Sequence, residues 1–117
     1  MKHKTISLSR EATLWEAGDV ARDIAVVEAG RLGVRTEAGV VGIVLPKMVV
    51  GETALFALEG KPLPRAASLF ALDDDTRVVA SPAESYRAAF EGGDTGVIEP
   101  IVRTLVAKVK KNKALQP

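Results

Sequence analysis

A glutamate and an arginine near the middle of the chain have the residue types and the spacing that could bind a phosphate. Glu52 to Leu58 could form about two helical turns that begin after Gly51. Backbone N–H groups at such a helix start have no partners within the helix and suit an anion. Arg65 follows after twelve intervening residues, and its guanidinium could bind a phosphate there through two parallel hydrogen bonds. The pattern indicates either a phosphate pocket in which Glu52 accepts a sugar hydroxyl, or a surface loop with one solvated glutamate and one solvated arginine.

The composition excludes most catalytic and metal-dependent functions. The 117 residues include no cysteine and one histidine, His3, which excludes thiolate metal sites, cysteine nucleophiles and a buried Ser-His-Asp triad. The net charge of +1 argues against a protein that wraps nucleic acid. Asp73, Asp74 and Asp75 are adjacent rather than alternately spaced, so we expect a solvated turn instead of a calcium loop. We therefore expect a protein that is not an enzyme and has no metal or cofactor.

The sequence shows no targeting or membrane-spanning segment. The N-terminal MKHKTISLSR lacks the apolar region of a secretory signal. The longest wholly apolar run, Val40 to Pro46, has seven residues, whereas about 20 are needed to span a bilayer. We expect a cytoplasmic protein that does not contact membranes.

The elements that must position Glu52 and Arg65 are predicted to be short strands. Between Lys4 and Ala80, apolar stretches alternate with Gly- and Asp-rich turns, as in a β-sandwich, barrel or roll. The predicted strands are Ile6–Leu8, Thr13–Trp15, Ile24–Val27, Arg31–Arg35, Val40–Leu45, Ala66–Leu72 and Arg77–Ala80. Trp15 is interpreted as a packing residue rather than a ligand platform.

The pattern changes to helix after Ala80. Ser81, Pro82 and Glu84 form a capping box, with Ser81 as N-cap, and predict a helix over about 81–91. Tyr86 and Phe90 lie one turn apart on it and are predicted to pack. A second helix is predicted over about 99–112. The chain is thus expected to be a single α+β domain over residues 1–117, mainly β, with the β part over about 4–80.

Several short motifs occur in the same order as in one known protein family. Gly51-Glu52-x-Ala54-Leu55, followed by Pro64-Arg65-Ala66-Ala67, is similar to the phosphate-binding cassette of the cyclic nucleotide-binding domain family. This family includes the regulatory subunits of cyclic-AMP-dependent protein kinase and the bacterial catabolite activator proteins. Leu14 to Asp19 resembles the family's "LFxEGD" turn, and Ile24 to Val34 resembles its "lYiVlsGrlrV" strand pair. The resemblance covers roughly residues 4–111.

The resemblance implies a cupin-like, jelly-roll-like β-roll followed by C-terminal helices, and a non-enzymatic receptor for a cyclic mononucleotide. In the family, the cyclic phosphate pairs with the cassette arginine, here Arg65, and the cassette glutamate, here Glu52, accepts the ribose 2′-hydroxyl. Alanine after the arginine, here Ala66, favours cAMP, although cGMP is possible. The implied ligand-binding residues are Gly51, Glu52, Thr53, Ala54, Arg65, Ala66 and Ala67.

The resemblance also implies a relay to an unknown protein partner through the C-terminal helix. Ile101, Leu105 and Val109 lie on one face of that helix and could form a homodimer, as this helix often does in the family. No DNA-binding domain, kinase or channel segment is expected, so the chain is interpreted as a stand-alone sensor.

Two departures from the family motivate a second hypothesis. The interval between Glu52 and Arg65 is a few residues longer than is usual in the family, and Lys47-Met48 replaces the Gly-Asp turn that precedes the cassette. The alternative is a degenerate relative that acts as a ligand-independent protein–protein interaction module. A metal-dependent cupin enzyme is disfavoured because it would need several inward histidines.

Overall fold

The apolar segments form strands, and their side chains alternate between two environments as the strand period requires. The computed structural model describes residues 3–51, 54, 63–94 and 96. Within these residues it contains eight strands and one helix. They are β1 (Lys4–Leu8), β2 (Thr13–Trp15), β3 (Asp23–Ala29), β4 (Leu32–Thr36), β5 (Gly39–Val44), β6 (Val49–Val50), β7 (Ser68–Ala71), β8 (Thr76–Pro82) and α1 (Ala83–Glu91).

The strands form two four-stranded antiparallel sheets. Sheet 1 has the order β1-β8-β3-β6, and sheet 2 has the order β2-β7-β4-β5. This order, in which the chain repeatedly crosses between the two sheets, is that of a jelly roll. The predicted β-roll followed by helix is therefore confirmed for the described residues. All seven predicted strands are present, and the two-residue strand β6 is an addition.

Strand β3 of sheet 1 has packed side chains on both of its faces. On β3, Ala25 and Val27 point between the sheets, whereas Ile24 and Val26 point to the other side. The inward residues join the main hydrophobic core, which also contains Leu32 of β4. The outward cluster consists of Ala21, Ile24, Val49, Ala54, Ala83 and Tyr86. Helix α1 thus packs on the outer face of sheet 1 through Ala83 and the buried Tyr86, as predicted for Tyr86.

The capping-box prediction is wrong. Ser81 belongs to β8, where it lies opposite Ile24, and helix α1 begins only at Ala83 with Pro82 as its N-cap. No side-chain hydrogen bond caps this helix. The physical reason is that pairing between β8 and β3 continues through Pro82, which leaves Ser81 buried in the sheet. The Oγ of Ser81 lies 3.3 Å from the Nδ1 of His3.

Phe90 does not pack as predicted. The residue is 50% exposed; it lies next to the end of α1, one turn beyond Tyr86, the last buried residue of the helix. The predicted second helix over 99–112, and with it the dimer face of Ile101, Leu105 and Val109, lies outside the described residues. Among the described residues, no helix is long and apolar enough to cross a membrane.

Candidate functional site

The backbone of Arg65 is fixed by the turn that follows β2. Arg65 N–H donates to the Asp19 carbonyl at 2.6 Å, and Gly18 N–H donates to the Arg65 carbonyl at 2.8 Å. A third hydrogen bond joins Ala21 N–H to the Leu63 carbonyl at 2.8 Å. The turn itself is closed by the Asp19 carboxylate, which accepts from the backbone of Glu16 at 3.0 Å. Two of the motifs that resemble the family, the turn and the cassette, therefore contact each other directly.

The guanidinium of Arg65 reaches across to sheet 1. Its Nη2 donates to the Asp23 carbonyl at 2.7 Å, and its Nη1 lies 3.4 Å from the Gly51 carbonyl. These carbonyls are neighbours because Asp23 begins β3, Gly51 follows β6, and Ala25 pairs with Val50 in the antiparallel ladder. Arg65 is only 7% exposed. A buried cation thus lies at the end of the roll where β3 begins and β6 ends.

Trp15 supplies the other side of this site. The guanidinium carbon of Arg65 lies 3.6 Å from the centroid of the Trp15 ring, a cation–π contact. Trp15 ends β2 and pairs with Leu69 of β7, so it belongs to sheet 2. It also packs against the main core, as predicted. Sequence reasoning missed its second role because a lone aromatic residue at a strand end gives no sign of which cation it will meet.

Gly51 is held in a conformation and a space that suit glycine. Its φ is +82°, in the left-handed region. A Cβ at this position would lie 2.7 Å from Nη1 of Arg65 and 2.7 Å from two ring carbons of Trp15. Gly51, Arg65 and Trp15 are therefore in mutual contact. We call these three residues the arginine platform.

Of the other predicted ligand-binding residues, the structure describes three, and they differ in exposure. Ala54 is 1% exposed in the outward cluster, and its N–H donates to the Gly51 carbonyl at 2.9 Å. Ala66 is exposed and Ala67 is partly buried, both directly after Arg65. Glu52 and Thr53 lie outside the described residues. The structure thus brings Gly51 and Arg65 together, and the ligand-binding roles of all seven residues stay predictions.

The Lys47-Met48 segment lies in the turn before β6. Met48 N–H donates to the Leu45 carbonyl at 3.1 Å, with Pro46 and Lys47 as the central residues. Lys47 has a φ of +73°, and Pro at the first central position with a positive φ at the second is the pattern of a type II turn. Lys47 therefore occupies a position that favours glycine.

Shifted pKa values occur elsewhere in the described part of the chain. Arg31 donates to the Asp73 carboxylate at 2.8 and 2.9 Å, and this hydrogen bonding lowers the pKa of Asp73. Burial raises the pKa of the Tyr86 hydroxyl. Asp73–Asp75 form the predicted turn between β7 and β8. Among the described residues, no cluster of His, Cys, Asp or Glu could hold a metal ion.

The arginine platform is suited to bind an anion rather than to transform one. A guanidinium stays protonated at all ordinary pH values, so it cannot act as a general acid or base. Its planar, rigid donors match a phosphate, and low exposure strengthens their attraction to a negative charge.

Comparisons with known proteins identify the family and the fold. The sequence model of the family described as "Cyclic nucleotide-binding domain" matches residues 5–92. No curated protein sequence gives a significant match to the chain.

Several solved structures have a similar fold. The N-terminal domain of a transcriptional regulator from Streptomyces coelicolor A3(2) is 22% identical with a TM-score of 0.64, over 97% of this chain and 78% of that one. The catabolite activator protein of Thermus thermophilus is 18% identical with a TM-score of 0.71, over 96% of this chain and 52% of that one.

A third similar structure is the regulatory subunit of a cAMP-independent protein kinase A from Trypanosoma brucei, as a triple mutant bound to cAMP in its A site. It is 21% identical with a TM-score of 0.64, over 74% of this chain and 30% of that one. At these identities the three likenesses show the fold. Because the family match covers residues 5–92 of a chain of 117, the chain belongs to the cyclic nucleotide-binding domain family.

Proposed function

We propose that this protein is a non-enzymatic cytoplasmic receptor for a cyclic mononucleotide, and that cAMP is the preferred ligand. The observation that carries the proposal is the arginine platform. Arg65 is 7% exposed, its backbone is bound to the turn after β2, and its guanidinium contacts Gly51 at the start of the cassette. Domains of this family are typically regulatory binding modules, which fits a site with a cation and no proton-transfer group at its centre.

The ligand would be recognised through its charge and its sugar. Arg65 would bind the cyclic phosphate, and Glu52 would accept the ribose 2′-hydroxyl. Gly51, Thr53, Ala54, Ala66 and Ala67 would line the phosphate with backbone groups and small side chains. Ala66 is exposed directly beside Arg65, so its methyl group leaves room for a ligand, and alanine there favours cAMP over cGMP.

The signal would pass to a protein partner through the C-terminal helix predicted over about 99–112. Ligand binding can shift this helix only by as much as the ligand's affinity differs between the two helix positions. We expect a homodimer through Ile101, Leu105 and Val109. Light scattering with and without cAMP tests this, and a monomer at micromolar concentration under both conditions contradicts it.

A second candidate function is a ligand-independent interaction module. One observation favours it: the guanidinium of Arg65 already donates to the backbone of Asp23 and Gly51. In that case Arg65 would stabilise the end of the roll, and the cassette would have no ligand.

Isothermal titration with cAMP, cGMP and 5′-AMP separates the two candidates. We expect saturable binding of cAMP, weaker binding of cGMP, and little binding of 5′-AMP, whose open phosphate has a different shape and charge. No heat with any nucleotide, and an unchanged melting temperature at millimolar cAMP, would identify the interaction module instead.

A matched pair of arginine variants tests the role of Arg65. Arg65→Ala should cost about 2–5 kcal/mol of cAMP binding, the scale of a truncated buried charge pair. Arg77→Ala is the control, because Arg77 is an exposed arginine on β8 that pairs with Glu28 at 3.3 Å. Equal affinity of Arg65→Ala and the parent protein would contradict the proposed pocket.

A further inference from the structure

Trp15 contacts the flat face of the Arg65 guanidinium and not the edge that carries its hydrogen-bond donors. The guanidinium carbon lies 3.6 Å from the ring centroid, so the indole covers one face of the planar group. All five N–H donors of a guanidinium lie in its plane and point outward from its edge. Trp15 therefore occupies a face and leaves the hydrogen-bonding edge to other groups.

The edge of the guanidinium contacts the backbone of sheet 1. Nη2 donates to Asp23 at 2.7 Å, and Nη1 lies 3.4 Å from Gly51. An incoming phosphate would meet the guanidinium at this edge, because only the edge carries donors. Contacts with the carbonyls can thus be exchanged for contacts with phosphate, whereas the contact with Trp15 is compatible with both.

Gly51 limits how the guanidinium can move. The space that a Cβ would fill at Gly51 is bounded by Nη1 of Arg65 and by two ring carbons of Trp15, each at 2.7 Å. The guanidinium is thus confined by the indole on its face and by the backbone of Gly51 at its edge. A side chain as flexible as arginine loses rotamer entropy when it binds a ligand, and a confined one has already lost most of it.

We propose that Trp15 is a positioning residue for anion binding, which holds the guanidinium of Arg65 face-on so that its edge is presented to the phosphate. This inference rests on the proposed function for the identity of the ligand. Trp15 itself does not touch the nucleotide; it acts through Arg65. The affinity gain comes from preorganisation, since the arginine is ordered before the ligand arrives.

The first test uses tryptophan fluorescence and needs no nucleotide. Trp15 is the only tryptophan of the chain. Its fluorescence therefore reports on the arginine platform alone. Arg65→Met should change the emission maximum or intensity of Trp15. The matched control is Arg35→Met, because Arg35 stacks on Phe70 instead, 4.0 Å from that ring centroid. Identical emission spectra of Arg65→Met and the parent protein would overturn the contact.

The second test separates positioning from packing. Trp15→Leu should weaken cAMP binding by about tenfold, the scale of one cation–π contact. Trp15→Phe, which keeps an aromatic face, should recover most of the affinity. Val34→Ala is the packing control, because Val34 borders the same core as Trp15. It should lower the melting temperature and leave cAMP affinity unchanged.

The outcomes distinguish this inference from the proposed function. If the parent protein binds cAMP and Trp15→Leu binds it equally well, Trp15 is a packing residue and the inference is wrong. If Trp15→Leu does not fold, the emission spectra of Arg65→Met and the parent protein decide, because identical spectra mean that Trp15 does not hold Arg65 and the inference is wrong. If the parent protein binds no cyclic nucleotide, the proposed function and the ligand part of the inference both fail. The emission spectra then still show whether Trp15 holds Arg65.

Discussion

Two arginines of this protein stack on aromatic rings in opposite surroundings. Arg65 lies 3.6 Å from the centroid of Trp15 and is 7% exposed. Arg35 lies 4.0 Å from the centroid of Phe70, and its side chain is 48% exposed. Arg35 also pairs with Glu11 at 3.5 Å, whereas the Arg65 guanidinium donates to backbone carbonyls. The same pair of chemical groups is thus placed once on the surface and once inside.

The two surroundings give the stacks different roles. Arg35 covers Phe70 on the outer face of sheet 2 with its guanidinium, and its charge stays in contact with water. Arg65 carries its charge into the end of the roll, where desolvation opposes it. A cation that is moved out of water needs hydrogen-bonding partners, and the carbonyls of Asp23 and Gly51 are two of those that Arg65 has.

Replacing the glycine of the arginine platform should have the largest effect. Gly51→Ala combines a left-handed backbone with a Cβ that would lie 2.7 Å from Arg65 and Trp15. Strain of about 1–2 kcal/mol and overpacking of about 1–3 kcal/mol should lower the free energy of unfolding by about 3 kcal/mol in total. Urea denaturation measures this change.

The control for Gly51→Ala is Gly39→Ala. Gly39 has a φ of +101° but no atom within 4 Å of the added Cβ, so it isolates the backbone strain. If both variants lose the same stability, Gly51 is not confined by Arg65 and Trp15. The equivalent change beside the contact of Arg35 with Phe70 is Gly33→Ala, in which the added Cβ would lie 2.5 Å from the Phe70 ring.

Double-mutant cycles should rank the two stacks. The coupling free energy of Arg65→Met with Trp15→Leu should be about 2 kcal/mol, the value for a desolvated cation–π contact. That of Arg35→Met with Phe70→Leu should be about 0.5 kcal/mol, the value at an exposed site. Four unfolding curves per cycle give the couplings. Equal couplings would show that burial does not distinguish the two stacks.

The sequence predicted the fold well because strands depend on local pattern. Alternation of apolar residues and the Gly- and Asp-rich turns located seven strands, and even β3 follows the period-two rule on both of its faces. The start of α1 was misplaced because a capping box is also compatible with an extended strand. Whether Ser81 caps a helix or pairs with Ile24 depends on β3, which lies far away in the sequence.

The sequence indicates candidate site residues only where the side chain itself supplies the chemical group. Gly51 and Arg65 were selected as candidate ligand-binding residues from their types and spacing; the structure brings them together, and their roles stay predictions. The Asp23 contact uses a backbone carbonyl, which every residue has, so no sequence signal could mark it. The partner of Trp15 depends on how β2 and the cassette meet in three dimensions.

The two residues with positive φ angles that flank β6 differ in their surroundings. Lys47 and Gly51 both have positive φ angles, +73° and +82°, but Lys47 is exposed and Gly51 is confined. Lys47→Gly should raise the free energy of unfolding by about 0.5 kcal/mol, because relief of left-handed strain slightly exceeds the entropy cost of glycine. Urea denaturation against the parent protein tests it. A loss of stability would show that the lysine side chain makes a stabilising contact that outweighs the strain.

The smallest effect should come from a third arginine, Arg31, whose pair with Asp73 is solvent-exposed. The hydrogen bond from Arg31 lowers the pKa of Asp73 below its ordinary value of 3.8. A carboxyl group with a lowered pKa in the folded state stabilises the protein above that ordinary value, and the contribution is lost as the pH falls through the folded pKa. Asp73→Asn should therefore lower the melting temperature slightly at pH 6 and by less at pH 2, because the contribution of the charge to stability falls as the pH drops below 3.8. Thermal unfolding followed by circular dichroism at the two pH values measures the difference. An equal loss at both would mean that Asp73 acts through the shape of its turn, where its carbonyl accepts from Thr76 at 2.7 Å, and not through its charge.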